Sequence, residues 1–232
     1  DIDNLKYLIV DEFQDISPLR ASLIKNLRKF SNFNFFCVGD DWQSIYRFAG
    51  GEIGIMVWDS EFEKYFGKRK IRTLESTHRF NDRICDLTSN FILSNRKGQL
   101  PKKVKSVKKI DEPPIEIFEQ DNTKNDFSLR KHVINELDKI FDKHKNDKEP
   151  IKILFLSRFN TTTYSNLYDD LRKLVTRIFA NKMQKGKRQI KFSTVHKAKG
   201  AEFNYVFLMN VNDETLGFPA NIDDDELLKL II

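Results

Sequence analysis

The sequence predicts an α/β fold in which parallel sheets carry helices on both faces. Short apolar runs of strand length alternate along the chain with longer segments whose apolar residues recur at helical spacing. Such alternation is typical of βαβ units, which produce parallel strands. Charged and amide residues follow several of the apolar runs directly, and in sheets of this kind ligands bind at the carboxyl ends of the strands.

The first third of the chain supplies strands and helices in turn. Residues 5–10 (LKYLIV) predict a short buried strand. Residues 17–30 predict a helix, in which Ser17 caps the amino end and Pro18 suits the first turn. Leu19, Leu23, Ile24, Leu27 and Phe30 recur on one face of this helix. Further strands are predicted over 33–38 and 70–75.

The same rhythm continues to residue 210. Residues 97–109 are basic, contain one proline and lack periodicity, so they predict a surface connection. Helices are predicted over 80–95, 126–144 and 164–180, the first with Phe80, Ile84, Leu87 and Phe91 in register. Strands are predicted over 113–119, 151–156, 190–195 and 204–210.

The composition fits a globular chain with a polyanionic partner. The 232 residues are 40% hydrophobic, which is enough for a sizeable core in about one to two domains. The net charge of +6 suits nucleic acid, although a merely lysine-rich protein explains it equally well.

Cysteine usage and hydropathy favour a cytoplasmic protein. Cys37 and Cys85 form neither a disulfide framework nor a metal cluster, which indicates a reducing compartment. No apolar run approaches the ~20 residues of a membrane span, and we expect no signal peptide. The chain starts without Met in a core strand and ends on a helix-like apolar stretch, so we expect a piece of a longer protein.

An acidic pair follows the first predicted strand in the run VDEFQD. One carboxylate of Asp11 and Glu12 can hold Mg²⁺ through water beside nucleotide phosphates, and its neighbour can orient or deprotonate an attacking water. The alternative is a pair of acids that only solubilises a strand end. Gln14 and Asp15 at fixed spacing make the motif more specific.

The glycine-rich phosphate loop of such hydrolases, G-x-x-x-x-G-K-[ST], does not occur in the 232 residues. Either the acids bind a metal for another purpose or the loop lies upstream of residue 1. We expect the second arrangement.

The run VGDDWQSIYRFAGG follows the second predicted strand, which we expect to be parallel and adjacent to the first. Asp40 ends that strand, and the amide of Gln43 can donate to a phosphate oxygen. Aromatic side chains and a cation follow. The bases of single-stranded nucleic acid stack on aromatic faces, at about 1–3 kcal/mol per base, and its phosphate backbone contacts cations. One loop could thus couple a nucleotide to nucleic acid. The alternative is that its aromatic residues pack beneath the loop.

Four blocks carry a family resemblance: VDEFQD, VGDDWQSIYRFAGG, LESTHRF and FSTVHKAKGAEFNYVFL. In this order they resemble the UvrD/Rep-type superfamily-one DNA helicases from residue 5 to about 210, and most closely the helicase IV branch. The resemblance implies RecA-like domains of the P-loop NTPase type, with ATP between two of them and single-stranded DNA across their top. It also implies ATP-driven translocation with 3′-to-5′ polarity and duplex unwinding.

The resemblance assigns roles to individual residues. Asp11 would serve Mg²⁺ through water, Glu12 would activate water, and Gln43 would sense the γ-phosphate of ATP. Arg79 would reach the same phosphate from the second domain, and Glu202 would accept from the ATP ribose. The residues implied to lie against DNA are Tyr46, Arg47, Phe48, Thr194, His196 and Lys197.

The resemblance also implies a domain division. Residues 1–70 would complete a first RecA-like domain, and 71–232 would form most of a second, without the large inserted domain of bigger relatives. Single-stranded DNA and duplex junctions would be the partners. Because the phosphate loop and the final arginine block V-A-x-T-R-A are both missing, we expect residues 1–232 alone not to complete an ATPase cycle.

Two other functions fit the same residues: a nucleic-acid-binding module without motor activity, and the helicase portion of a helicase–nuclease. The lysines at 102, 103 and 105 in the basic segment 97–109 either contact DNA phosphates or belong to a spacer.

Overall fold

A computed structural model describes residues 2–94, 99–110, 115–119, 127–158, 166–183, 188–209 and 211. The chain divides into two compact units, residues 1–116 and 117–232. The predicted domain division at 70–71 stays a prediction, because a compact unit is defined by its internal contacts and not by domain ancestry.

The first unit begins with two parallel strands, β1 (Tyr7–Val10) and β2 (Asn34–Cys37), joined through α1 (Pro18–Leu27). The register sets Tyr7 opposite Asn34 and Val10 opposite Cys37. The carboxyl ends of both strands therefore meet at one edge of the sheet. Two short helices follow, α2 (Gly54–Val57) and α3 (Asp59–Phe66).

The capping of α1 confirms the predicted helix start. Ser17 Oγ accepts the Arg20 N–H at 3.3 Å, and Pro18 occupies the first turn, where no intrahelical N–H bond is needed. The predicted apolar face is buried in part: Ile24 lies in the core, whereas Leu19 and Leu23 are exposed. Helical periodicity therefore located the helix but overstated how much of its apolar face this unit covers.

A cluster of aromatic rings lies at the centre of the core of the first unit, among aliphatic side chains such as Ile24 and Ile55. Phe13, at the turn after β1, lies 5.9 Å from Phe35, 6.0 Å from Phe62 and 5.8 Å from Phe66 between ring centroids. Phe35 and Phe66 stack at 4.7 Å. This cluster joins the sheet to α3 and fixes the chain directly beyond β1.

A second parallel pair completes the first unit, formed by β3 (Ser76–Asn81) and β4 (Lys105–Lys108) with α4 (Asp82–Leu93) between them. Asn81 Oδ1 caps α4 by accepting the Ile84 N–H at 3.0 Å. Two residues of the predicted apolar face of this helix, Leu87 and Phe91, are exposed.

Two predictions in this region are wrong. The strand predicted over 70–75 does not form, because those residues are all exposed and a strand needs a partner that shares its ladder; the strand begins at Ser76 instead. The segment 97–109 is not only a connection, since β4 lies within it and pairs with β3. The lysine-rich sequence gave no strand signal, because the residues at 105 and 107, on one face of β4, are exposed and need not be apolar.

The second unit holds a three-stranded parallel sheet in the order β6-β5-β7. Its central strand is buried along most of its length, and Phe155 stacks on Phe192 at 4.7 Å and on Phe207 at 4.6 Å. The elements are α5 (Phe127–Lys143), β5 (Ile151–Ser157), α6 (Asn166–Met183), β6 (Arg188–Thr194), α7 (Val195–Ala198) and β7 (Tyr205–Leu208).

The observed pairing confirms the predicted fold class. Every strand pair described is parallel, and helices alternate with strands. The strand predicted over 113–119 is wrong for residues 115–119, which are irregular, while 113 and 114 lie outside the described residues. Among the helices described, none combines the length and apolar character that crossing a bilayer requires.

Replacing Phe13 by Ala should destabilise the chain by about 3–5 kcal/mol, because its ring is 1% exposed and fills the centre of the aromatic cluster. Chemical denaturation measures the loss. The matched control is Phe30→Ala, whose ring is 66% exposed and should change stability by about 0.5 kcal/mol or less. Equal losses for the two variants would contradict the proposed core.

Candidate functional site

The edge at the ends of β1 and β2 brings the acidic pair next to the second polar run. Val38 donates its N–H to Val10 O at 2.9 Å, and Phe13 donates to Val38 O at 2.9 Å. Asp11 and Glu12 therefore lie beside Gly39 and its successors. This is the strand-end position at which parallel α/β sheets bind ligands.

Glu12 adopts a left-handed backbone conformation, with φ 52° and ψ 42°. This region costs an L-residue roughly 1–2 kcal/mol. The turn is supported by Asp11 Oδ1, which accepts the Glu12 N–H at 2.8 Å. Both side chains are exposed at the strand end. Strain of this kind is common at functional sites and motivates a functional hypothesis for Glu12.

The side chain of Gln14 links the two strand ends. It is 1% exposed, donates through Nε2 to Glu12 Oε2 at 2.5 Å, and accepts the Asp40 N–H through Oε1 at 2.9 Å. Gly39 makes room for it, because a Cβ at residue 39 would lie 2.5 Å from Gln14 Oε1. The buried amide thus sets the distance between Glu12 and Asp40.

Asp40 extends this network to Gln43. Its Oδ2 accepts the Gln43 Nε2–H at 2.8 Å, and its Oδ1 accepts the Trp42 N–H at 3.1 Å. Hydrogen bonds therefore connect Glu12, Gln14, Asp40 and Gln43 in sequence. Of the predicted site residues, the structure joins Glu12 and Gln43 in one network, although neither touches the other in the contacts above.

Lys102 closes the network from the basic segment. Its ammonium donates to the carboxylates of Asp40 and Asp41, at 2.6 Å for Asp41, and lies 4.6 Å from the centroid of the Trp42 ring. The Leu100 N–H donates to Asp41 Oδ2 at 2.8 Å. The side chain of Lys102 is 12% exposed and that of Asp41 is 1% exposed. Lys102 is therefore an ion-pair partner here, and the proposed phosphate contact of this segment rests on Lys103 and Lys105.

The pKa of the Asp40 carboxyl lies below its usual range. Burial alone would raise this pKa, but hydrogen bonds from Lys102 and Gln43, the charge of Lys102 and the Trp42 N–H outweigh burial and lower it. Asp40 is therefore ionised at neutral pH and accepts charge-assisted hydrogen bonds.

The loop beyond Gln43 carries the residues predicted to contact DNA. Tyr46 is half-buried, and its carbonyl accepts the Gly51 N–H at 3.2 Å. Arg47 is exposed at the start of a 3-10 turn, Arg47–Ala49. The backbone of Phe48 lies in that turn, and its side chain falls outside the described part of the structure.

Arg79 lies on β3 with its side chain exposed, and its backbone N–H donates to Thr77 Oγ1 at 3.4 Å. Its predicted approach to a phosphate stays a prediction.

The remaining predicted residues belong to the second unit. Thr194 ends β6 with a buried side chain, and its Oγ1 accepts the Lys197 N–H at 3.4 Å, which caps α7. His196 and Lys197 are exposed on that short helix. Gly200 has a φ of 77°, which turns the chain toward the exposed Glu202.

Gln14, Asp40 and Lys102 belong to the network but not to the predicted nucleotide site. For Gln14, the sequence shows a fixed spacing after the acidic pair. The available signal for its bridging role is the glycine directly after the second strand end, Gly39. Lys102 was predicted, together with Lys103 and Lys105, either to contact DNA phosphates or to lie in a spacer; its pairing with Asp40 and Asp41 gave no signal, because it looks like the neighbouring lysines. Within the described residues no three His, Cys, Asp or Glu side chains gather into a metal site.

Comparison with known proteins identifies the relatives of this chain. The UvrD/REP helicase N-terminal domain matches residues 3–67, and the UvrD-like helicase C-terminal domain matches residues 156–228. DNA helicase IV of Escherichia coli is 35% identical over 217 residues, which cover 93% of this chain and 28% of that protein. A probable DNA helicase II homolog of Rickettsia conorii is 28% identical over 72% of this chain and 24% of its own length. The ATP-dependent DNA helicase PcrA of Bacillus subtilis is 34% identical over 42% of this chain and 12% of its own length.

These matches establish the fold class and the family of this chain. UvrD-type domains are RecA-like, so the parallel α/β architecture described above belongs to the RecA-like class of folds. The chain belongs to the UvrD/Rep-type helicase family, which confirms the resemblance drawn from its four sequence blocks. It spans about a quarter of the length of DNA helicase IV, at 28%.

Replacing Gln14 by Leu should destabilise the chain by about 1–3 kcal/mol, because it leaves the Asp40 N–H without its buried acceptor. Thermal or chemical denaturation measures the loss. Gln189→Leu is the control, since residue 189 is exposed on β6 and should change stability by about 0.5 kcal/mol or less. A Gln14→Leu chain as stable as wild type would show that the hydrogen bond between Gln14 and Asp40 contributes nothing to stability.

Proposed function

We propose that this chain is part of an ATP-dependent DNA helicase that couples ATP hydrolysis to 3′-to-5′ translocation on single-stranded DNA and to duplex unwinding. The observation that carries the proposal is the hydrogen-bond path from Glu12 through Gln14 and Asp40 to Gln43. The helicase names of its relatives support the same activity.

The chemistry at the strand end fits hydrolysis of a nucleotide. Glu12 presents a carboxylate held by Gln14, and such a group can orient and deprotonate an attacking water. Asp11 presents exposed carboxylate oxygen, the ligand type that Mg²⁺ prefers, and Mg²⁺ is commonly bound by one or two carboxylates together with substrate phosphates. Bound Mg²⁺ would neutralise phosphate charge during phosphoryl transfer. We assign Asp11 to the metal and Glu12 to the water.

Gln43 is suited to report the γ-phosphate. Its amide now donates to Asp40, and a phosphate oxygen can accept the same N–H. The chain then runs within a few residues from Gln43 to Tyr46, the exposed Arg47 and Phe48, which we assign to DNA. A change at the amide therefore has a short covalent route to the proposed DNA contacts.

We propose that residues 1–70 belong to a first RecA-like domain and 71–232 to a second, with Arg79 as a cation for the γ-phosphate and Glu202 as an acceptor for the ribose. Thr194, His196 and Lys197 are assigned to DNA or to its coupling with ATP. We place the protein in the cytoplasm.

The decisive test changes Glu12 to Gln in the complete gene product that carries this chain. DNA-stimulated ATP hydrolysis should fall by about 10²–10⁴-fold, because the amide cannot take a proton from water, while ATP binding persists. Steady-state turnover and nucleotide binding are measured together. Glu63→Gln, at an exposed position on α3, is the control and should leave turnover unchanged.

An active Glu12→Gln enzyme would remove Glu12 from the proposed role. A wild-type protein without DNA-stimulated hydrolysis would favour the alternative of a nucleic-acid-binding module without motor activity.

Replacing Arg47 by Gln should weaken binding of a single-stranded oligonucleotide and reduce the slope of log affinity against log salt by about one, because one phosphate contact is lost. Fluorescence anisotropy at several salt concentrations gives both quantities. Lys68→Gln removes an exposed cation outside the loop and serves as the control. The assignment of Arg47 to DNA is wrong when the two variants give the same slope as wild type.

A further inference from the structure

The lysine at residue 102 shares one carboxylate with the amide of Gln43. Asp40 Oδ2 accepts from Gln43, while Oδ1 accepts from the Trp42 N–H and from Lys102. Because both oxygens belong to one rigid plane, the contact at Oδ1 fixes where Oδ2 points. We propose that Lys102 is a positioning residue that sets the orientation of the Gln43 amide through Asp40.

Lys102 is itself held from several directions, as a positioning residue must be. Its ammonium donates to Asp41 Oδ1 at 2.6 Å and lies 4.6 Å from the Trp42 ring centroid. The cation and the ring attract one another by their charge and quadrupole. The backbone near Lys102 is also fixed, since the Leu100 N–H donates to Asp41 Oδ2 at 2.8 Å.

Electrostatics make the lysine necessary at this point. Asp40 and Asp41 are adjacent carboxylates, and the Asp41 side chain is almost wholly buried. A buried charge without a partner is strongly unfavourable, and two like charges repel. The single Lys102 ammonium pairs with both carboxylates and offsets part of their repulsion. Its loss should therefore let the Asp40 carboxylate rotate and withdraw Oδ2 from Gln43.

Through Lys102, the segment around residues 99–102 takes part in the coupling described above. This segment lies between α4 and β4, so it connects the loop that holds Gln43 to the strand pair that carries Arg79. A displacement of the segment would change the Asp40 carboxylate and, with it, the amide. The consequence for ATP rests on the proposed function, whereas the positioning of Gln43 does not.

Nuclear magnetic resonance of the 232-residue chain tests the positioning directly. The exchange rate with solvent of the Gln43 side-chain amide protons, assigned by their loss in Gln43→Glu, reports the bond to Asp40. Lys102→Met keeps the apolar stem but removes the ammonium, and exchange should become about tenfold faster, which corresponds to the loss of one hydrogen bond. Lys102→Arg should restore a slow rate. Lys109→Met, at an exposed position of the same basic segment, is the matched control and should match wild type.

A rate in Lys102→Met equal to that of wild type would overturn the proposal. If Lys102→Met does not fold at the working temperature, the double variant Asp41→Asn with Lys102→Met is compared with Asp41→Asn alone, so that only the Lys102 contact at Asp40 Oδ1 differs. Faster exchange in the double variant supports the proposal, and equal exchange overturns it. In the complete protein, Lys102→Met should lower kcat for ATP by about tenfold or more with a smaller change in KM. Absence of ATPase in the wild-type complete protein would refute the proposed function, and the amide exchange would still decide the role of Lys102.

Discussion

The candidate site depends on one buried amide. Gln14 lies beneath the strand ends with both polar atoms of its side chain engaged, one with Glu12 and one with the backbone of Asp40. A buried amide is tolerated only when its donors and acceptor find partners, so these bonds fix the spacing of the two strand ends. Gly39 is part of the same constraint, because a side chain there would collide with the amide oxygen. Phe13, one residue earlier, anchors the turn in the aromatic core.

The site concentrates unfavourable features that the surrounding core must offset. Glu12 lies in the left-handed region, and two neighbouring acids, Asp40 and Asp41, lie close to a single lysine. Each feature would relax if the backbone were free to move. The parallel pairing of β1 with β2 and the phenylalanine cluster beneath them prevent that movement. Groups held in this way are pre-oriented for a ligand, because little reorganisation is left to occur upon binding.

Sequence patterns located the elements and the strand-end acids, and they failed where tertiary partners decide. Residues 70–75 have the sequence pattern of a strand, yet the strand begins at Ser76, where β4 supplies the hydrogen-bonding partners. The apolar positions of α1 follow helical spacing, but spacing does not reveal which neighbours cover Leu19. Glu12 and Gln43 were predictable because short motifs keep them near strand ends. Lys102 was not, because its partners lie about sixty residues earlier and no local pattern encodes so distant a contact.

In the proposed function, the bond between Gln43 and Asp40 is the one that a bound nucleotide would have to replace. A hydrogen bond to a charged acceptor contributes about 1.5–3 kcal/mol, so the amide leaves Asp40 only for an acceptor of comparable strength. A γ-phosphate oxygen is such an acceptor, whereas water is a weaker one. A ligand shifts an equilibrium only by its difference in affinity for the two states. In the proposed function, Asp40 and a γ-phosphate would be two discrete partners for one amide and would supply that difference, and the loop that continues to Arg47 would carry the change toward the proposed DNA contacts.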